Sequence, residues 1–551
     1  MIKKHLYWDI TLHFSEYPEP IKKQFNKIYF NKRKSFVFWL DRISMNFQED
    51  LDWWVSSPSS RNLYYSDLYK YICVLKTLDK LKTKYSFSVI TDSQAFKKIL
   101  IKSFNSNILK VKIKLSKKLI SKYFYFFYII KNILLFFLQY SLIKIIIKKN
   151  YIPNNISLID TFIIDKKNKE KFYYGNLKNL AIKQNKKVFF LTTIIENNFI
   201  KFFNILNSLN KSKDYFLKEN YLNYRDLFYC FLYLNRKKKF DINYKKFEKF
   251  NLSSLIKEEI FYNRNLFSVF IGLSNYRFFK KMKLKSLNIK KFVNWFENQP
   301  FDKGLNYGLR KFYPNAISLG YQGFTDYPEY MNIYPSNAEF KSNVIPKKIV
   351  VCGEKYINLR KEFCKKLNII NGPALRAENV HKFSEKKRIY KVVIFLEGAS
   401  KKMDRDIVLK FIDISKSFID TKFYIKTHPI LPINKLEVNI PNNVKVISGN
   451  FSSVAEKTLI AISYGNTSAT LESLAYGCNL IIPYNNYFDK KNLKNFGVNK
   501  DYFKVCSNKL DIIKTIKFFL NKKNSKKFRN RKKIKNILFN KVNKKTLSVI
   551  L

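Results

Sequence analysis

Short apolar runs that end at polar or glycine-bearing turns recur along the chain, separated by stretches with apolar residues every three or four positions. That alternation predicts an α/β fold. The runs that read as strands are Leu6–Ile10, Phe36–Leu40, Phe87–Ile90, Ser157–Ile164 and Val188–Ile194. After a largely helical region, 195–290, come Ile317–Gly320, Ile349–Cys352, Val392–Leu396, Phe423–Ile425, Ala461-Ile462 and Leu480–Ile482. Helices are predicted over Lys303–Tyr313, Thr470–Tyr476 and Leu510–Leu520, with Gly477 ending the second of them.

One stretch breaks the rhythm. Tyr123–Ile147 is apolar and aromatic almost throughout, interrupted by Lys131, Asn132, Gln139 and Lys144. Its length suits a membrane span. A lysine inside such a run costs roughly 2.5–3.5 kcal/mol on insertion scales. The flanking lysines at 117, 118, 122, 148 and 149 suit a helix lying in the headgroup region instead. Both arrangements stay open on sequence, and both make this segment the expected membrane contact.

The 551 residues suffice for two or more domains, and 46% hydrophobic with 26% charged residues is a globular balance. A formal charge of +63, from 104 Lys/Arg against 41 Asp/Glu, points first to nucleic acid. The lysines are spread over the whole chain, however, so a solvated basic surface attracted to anionic membrane is expected, with no nucleic-acid partner. Six cysteines without a C-x-x-C pair fit a reducing cytoplasm, and the four histidines show no metal-ligand spacing. No apolar run follows the charged N-terminus, so no signal peptide is expected.

Candidate chemistry gathers in two places. In the C-terminal half, Phe423-Tyr-Ile-Lys-Thr-His-Pro429 is followed by the loop Ser463-Tyr-Gly-Asn-Thr-Ser468 and a helix bearing Glu472. A small-residue loop entering a helix offers unpaired N–H groups and the positive end of the helix dipole, and both favour phosphate. Ligands of open α/β sheets bind at the carboxyl ends of strands, so the ends after Ile425 and Ile462 are expected to face one pocket. An ordinary capped β–α connection fits the same residues.

In the N-terminal half, the segment 52–62 (Asp-Trp-Trp-Val-Ser-Ser-Pro-Ser-Ser-Arg-Asn) reads as a shaped loop. It is either a packing corner in which Arg61 bridges to a carboxylate or an acceptor-side loop in which Trp53 or Trp54 stacks on a sugar. Glu297, Asn298 and Gln299 stand where an apolar stretch stops, Asp302 follows, Lys303 and Arg310 lie on the next helix, and Tyr321 and Gln322 form the loop that ends the following strand.

The Lys-x-His-Pro strand end and the Ser-x-Gly-Asn-Thr-Ser-x-x-x-Glu block resemble the C-terminal half of two-domain GT-B glycosyltransferases. The Trp-Trp segment resembles a family of surface carbohydrate biosynthesis proteins found with lipopolysaccharide O-antigen and capsule gene sets. So do Trp295-x-Glu-Asn-Gln299, Asp302-Lys-Gly304, Gly320-Tyr-Gln-Gly-Phe324, Tyr334-Pro-Ser336 and Gly372-Pro-Ala-Leu-Arg376. That similarity runs to about residue 510.

The resemblance implies a GT-B-like α/β fold, two Rossmann-like domains facing each other across a cleft. The expected division is an N-terminal acceptor domain over 1–334 with a membrane-associating insertion at about 117–150, a linker at 335–346, a donor domain over 347–520 and a solvated basic tail at 521–551. The implied reaction carries a sugar from a nucleotide-activated donor to a glycan or lipid-linked acceptor at the cytoplasmic face of the inner membrane, with no bound metal and no cofactor beyond the donor substrate. Lys426, His428, Ser463, Gly465, Asn466, Thr467 and Ser468 would hold the nucleotide diphosphate, with Glu472 on sugar or ribose hydroxyls. Glu297 is the first candidate general base, followed by Asp302 and His428. Trp53, Trp54, Arg61, Asn298, Gln299, Lys303, Arg310, Tyr321 and Gln322 would line the acceptor side. A nucleotide-sugar 2-epimerase, a glycerophosphate or polyol-phosphate transferase, and a non-catalytic basic membrane- or RNA-binding protein are the alternatives.

Overall fold

The computed structural model describes residues 3–12, 14–114, 121–148, 153–166, 170–196, 198–243, 245–325, 330–382, 388–398, 401–428, 431–464, 468–483, 503–521 and 531–551. A small parallel sheet opens the chain, made of β1 (Lys4–Asp9), β2 (Tyr85–Thr91) and β3 (Leu109–Ile113). Between its first two strands lies the long helix α1 (Glu19–Ser44). The run Phe36–Leu40, expected as a strand, is part of α1. Its apolar residues belong to a helical stripe, with Ile21, Phe25, Ile28, Phe36, Leu40 and Ile43 all buried at spacings of three and four or their sums.

The central sheet has seven parallel strands: β4 (Ile156–Ile163), β5 (Phe189–Ile194), β6 (Tyr215–Leu217), β9 (Ile289–Trp295), β10 (Ile317–Gln322), β11 (Lys348–Val351) and β12 (Asn368–Asn371). A two-stranded hairpin, β7 (Lys246–Phe247) with β8 (Phe250–Asn251), stands apart. The sheet order is β12-β11-β10-β9-β4-β5-β6. The winding therefore runs outward from β4 on one side and returns beside it at β9, which makes the carboxyl ends of β4 and β9 the switch point where such sheets open a crevice.

The helices that position this crevice are α2 (Ser121–Ile146), α3 (Phe199–Asn210), α4 (Tyr224–Phe231), α5 (Leu266–Leu284) and α6 (Pro300–Phe312). α5 and α6 touch backbone to backbone, since a Cβ on Gly304 would stand 1.9 Å from the Gly272 carbonyl oxygen. Only glycine permits that approach.

The second domain is a six-stranded parallel sheet of order β15-β14-β13-β16-β17-β18. Its strands are β13 (Tyr390–Phe395), β14 (Phe423–Lys426), β15 (Val444–Val446), β16 (Thr458–Ser463), β17 (Asn479–Pro483) and β18 (Phe503–Cys506). Its switch point lies between β13 and β16. α7 (Lys401–Ser415) follows β13, α8 (Ser468–Ala475) follows β16, and α9 (Lys509–Leu520) follows β18.

Two boundaries differ from expectation. Ile349–Cys352 does not open the donor domain, because β11 pairs in parallel with β10 and β12 extends the same sheet. Both strands belong to the N-terminal domain, and the chain enters the second domain between 382 and 388 rather than at the proline-bearing 335–346 segment. Nor is 531–551 a solvated tail. α10 (Arg531–Leu538) and α11 (Lys544–Ile550) return to the N-terminal domain. The Asn540 N–H donates to the Cys352 carbonyl at 2.7 Å and the Asn540 carbonyl accepts from Ala374 N–H at 3.1 Å. Ile534, Leu538, Phe539, Leu547 and Ile550 are buried there, each contributing roughly 1.5–3 kcal/mol.

Candidate active site in the interdomain cleft

The turn after β9 is built by a helix cap. Asp302, in the first turn of α6, accepts N–H bonds from Gln299 (2.9 Å) and Glu297 (3.2 Å) through one carboxylate oxygen. Its other oxygen accepts from Asn294 Nδ2 at 2.9 Å, and the same amide reaches Asp160 at 3.1 Å. This buried network fixes the backbone of Glu297, whose carboxylate accepts from Trp295 Nε1 at 2.8 Å. Burial raises the Glu297 carboxyl above its ordinary value, against the Trp295 hydrogen bond and the charge of Arg376, which draw it down. A half-buried carboxylate at a switch point, with its basicity raised by burial, has the character of a general base.

Arg376 comes from the turn after β12. Its exposed guanidinium lies 5.2 Å from the Phe172 ring centroid and 5.9 Å from that of Trp295. Its charge acts on Glu297 in the N-terminal domain and on Glu472 of α8 in the second domain. Glu472 is half-buried; burial raises its carboxyl, opposed by Arg376 and by a hydrogen bond with Ser468. One cation therefore acts electrostatically on carboxylates from both sheets. Across the same cleft, Lys402 of α7 pairs with Glu16 of the first domain at 2.8 Å.

At the second domain's switch point the turns after β13 and β14 meet. Gly398 adopts φ +69° and abuts the His428 ring, where a Cβ would come within 2.6 Å of Cγ. Its N–H donates to Asp404 of α7 at 3.0 Å. Burial, then the charge of Lys426, lowers the His428 imidazole, and burial lowers Lys426, whose Nζ donates to the Thr427 carbonyl at 2.9 Å. Ser463 is buried, its hydroxyl 2.8 Å from that of Thr470. Lys401 pairs with Glu437 at 2.5 Å. Gly465, Asn466 and Thr467, with Ser400, Pro429 and residues 484–502, lie outside the described residues.

The expected acceptor residues are not brought to this cleft. Trp53 and Trp54 are fully buried, Trp53 stacked on Phe47 at 4.7 Å and Trp54 donating Nε1 to the Gln48 carbonyl at 3.1 Å. Arg61, Asn298 and Lys303 converge on buried Glu339, at 2.5, 3.0 and 3.0 Å. Burial alone would raise the Glu339 carboxyl, but Arg61 and Lys303 hold it below its ordinary value. The packing-corner reading of Arg61 thus describes its position. Gln299 accepts from Asn62 at 2.8 Å, Tyr321 donates to the Pro373 carbonyl at 2.8 Å, and Gln322 bridges Arg360 and the Ile333 carbonyl at 2.5 and 3.0 Å. Arg310 is held by Asn343. Asp302 has no exposed surface and serves as a cap, which leaves Glu297 as the carboxylate of that pair open to a substrate.

Arg376 was visible in sequence as the end of Gly372-Pro-Ala-Leu-Arg376, but nothing in that motif marks its charge as facing a cleft. Trp295, which orients Glu297, lies in the same position: an aromatic at a strand end reads as core. Among the described residues no cluster of metal-ligating side chains occurs, and all six cysteines are buried thiols outside any disulfide.

No family model matches the chain, and no curated protein matches it in sequence. Among solved structures, a UDP-GlcNAc 2-epimerase from Neisseria meningitidis bound to UDP-GlcNAc is similar at 14% identity, over 68% of this chain and 94% of that one, with a TM-score of 0.39. MurG from Acinetobacter baumannii is similar at 8% identity over 72% and 98%, with a TM-score of 0.38. A UDP-GlcNAc 2-epimerase from Methanocaldococcus jannaschii is similar at 13% identity over 67% and 93%, also with a TM-score of 0.38. The fold itself rests on the two strand orders: Rossmann-like α/β sheets whose carboxyl edges face a common cleft, the GT-B arrangement.

Proposed function

We propose that the protein is a glycosyltransferase of bacterial surface polysaccharide assembly, of the lipopolysaccharide O-antigen or capsule type. It takes a nucleotide-activated sugar as donor and a glycan or lipid-linked acceptor at the cytoplasmic face of the inner membrane, without a bound metal. The observation that carries this reading is that the charge of Arg376, in the turn after β12, acts both on Glu297 at the end of β9 and on Glu472 of α8, in the two different domains. The acceptor hydroxyl oxygen attacks the anomeric carbon as the bond to the diphosphate oxygen breaks, and the hydroxyl proton passes to Glu297. Arg376, Lys426 and the N-terminal end of α8 receive the charge that develops on the departing diphosphate, the main catalytic contribution in a site of this kind. Glu472 accepts hydrogen bonds from hydroxyls of the donor.

The test is nucleotide protection against thermal unfolding, with UDP, GDP, CDP, ADP and CMP on wild type, Arg376→Ala and Glu472→Ala. A nucleotide at one hundred times its Kd stabilises the folded state by about 2.7 kcal/mol. One diphosphate that shifts the wild type and neither variant supports the assignment. No shift at millimolar concentration overturns it.

A further inference from the structure

α2 is long and apolar enough to cross a membrane by length and composition, yet it is built into the N-terminal domain along one side. Phe136, Tyr140 and Ile143 are buried in the core. Polar bonds pin both halves of the helix: Tyr128 OH donates to the Arg264 carbonyl at 2.7 Å, Gln139 Nε2 to Glu196 at 3.0 Å, and Tyr140 OH to Leu222 at 2.9 Å. Crossing a bilayer would strip these core contacts and leave their polar partners unpaired in hydrocarbon.

The opposite side of α2 carries Phe127 (63% exposed), Leu134 and Leu138, with Lys131 in the middle of the same stripe. Neighbouring helices extend this surface. α3 packs on α2 and exposes Ile200 (75%) and Phe203; α4 meets α2 through Phe137–Tyr224 rings 5.9 Å apart and exposes Phe228 (63%). Its charge is predominantly positive, with Glu196 just before α3 as an acid beside it. α2 and α3 contain no Asp or Glu, and the single acid of α4, Asp226, is buried against Arg277 at 2.5 Å. Lys131, Lys148, Lys201 and Arg225 are exposed. Bulky apolar side chains among uncompensated cations complement an anionic lipid surface, where apolar groups enter the acyl boundary and lysines reach back to the headgroups.

We propose that α2, α3 and α4 form a docking face that lies in the plane of an anionic bilayer, with α2 seated laterally and not spanning. This inference does not depend on the transferase reading: vesicle binding and nucleotide protection are separate measurements and fail separately.

The test is sedimentation of the full chain with vesicles of phosphatidylcholine alone and with about 30 mol% phosphatidylglycerol, followed by carbonate washing of the bound fraction. Binding to the anionic vesicles, released by carbonate, is expected. Lys131→Gln should weaken it about fivefold, the factor for one lysine at an anionic surface. The double variant Phe127→Asp/Ile200→Asp should weaken it at least about tenfold with an unchanged melting temperature, since both side chains are exposed. Ile419→Asp, exposed on the second domain, should bind as wild type does. Carbonate resistance would show a span and overturn the proposal. So would failure to bind either vesicle, or a self-associated species dispersed by the double variant, which would assign the face to a second copy.

Discussion

Asp160 offers a sharp test of the network behind Glu297. It is buried at β4, accepts from Asn294, and its carboxyl is pushed from 3.8 up to about 7 by burial, against the Asn294 hydrogen bond and the charge of Lys218. In the unfolded chain it ionises freely near pH 4, whereas in the folded protein it holds its proton to about pH 7. The raised pKa therefore contributes stability that is fully present below the unfolded value and lost as pH rises through the folded one. The full shift corresponds to about 4 kcal/mol at about 1.4 kcal/mol per unit. Asp160→Asn keeps the neutral, hydrogen-bonding shape and cannot ionise. The stability difference between variant and wild type should grow in the variant's favour by about 2–3 kcal/mol between pH 5 and pH 8. Urea unfolding followed by tryptophan fluorescence measures it cleanly, because all five tryptophans (Trp8, Trp39, Trp53, Trp54 and Trp295) lie in the N-terminal domain. A difference that does not change over that interval would refute the reasoning.

Two further outcomes follow from the site. Glu297→Gln should lower kcat by about 10²–10⁴-fold without loss of stability; the wild-type rate should fall as pH drops through the raised Glu297 pKa, while the variant's residual rate should not follow that titration. Arg61→Ala leaves buried Glu339 with Lys303 as its remaining cation and should destabilise the N-terminal domain by about 3–5 kcal/mol; unchanged stability with a raised acceptor KM would instead put Arg61 on substrate.

The second domain was largely legible in the sequence. Ala461-Ile462, Thr470–Tyr476 and Leu480–Ile482 fall within or closely overlap β16, α8 and β17, and Gly477 takes φ +78° just past the helix. Local signals suffice there: an apolar run, small residues and a glycine stop. The Arg61, Asn298 and Lys303 cluster is not legible in the same way, because a polar cluster that lines a cleft and one that ties a core together use the same residue types. These three are buried where Glu297 keeps some exposed surface, and long-range packing decides that difference. The domain boundary failed for a similar reason, since the pairing of β11 with β10 leaves no mark near residues 335–346. Phe36–Leu40 shows the converse: five apolar residues in a row fit either period until the flanking turns of α1 are counted.

The return of α10 and α11 to the N-terminal domain makes the second domain a guest inserted into its host. During synthesis the ribosome releases β13 through α9 before the host receives those two helices. The guest sheet can close as its own strands emerge. The host must keep the seat beside Cys352 and Gly353 vacant, and Gly353 has no room for a Cβ once the Leu538 carbonyl arrives 2.3 Å away. A chain released without residues 531–551 should therefore hold a finished second domain tethered to a half-dressed first one, and that intermediate is where a chaperone would find exposed apolar surface.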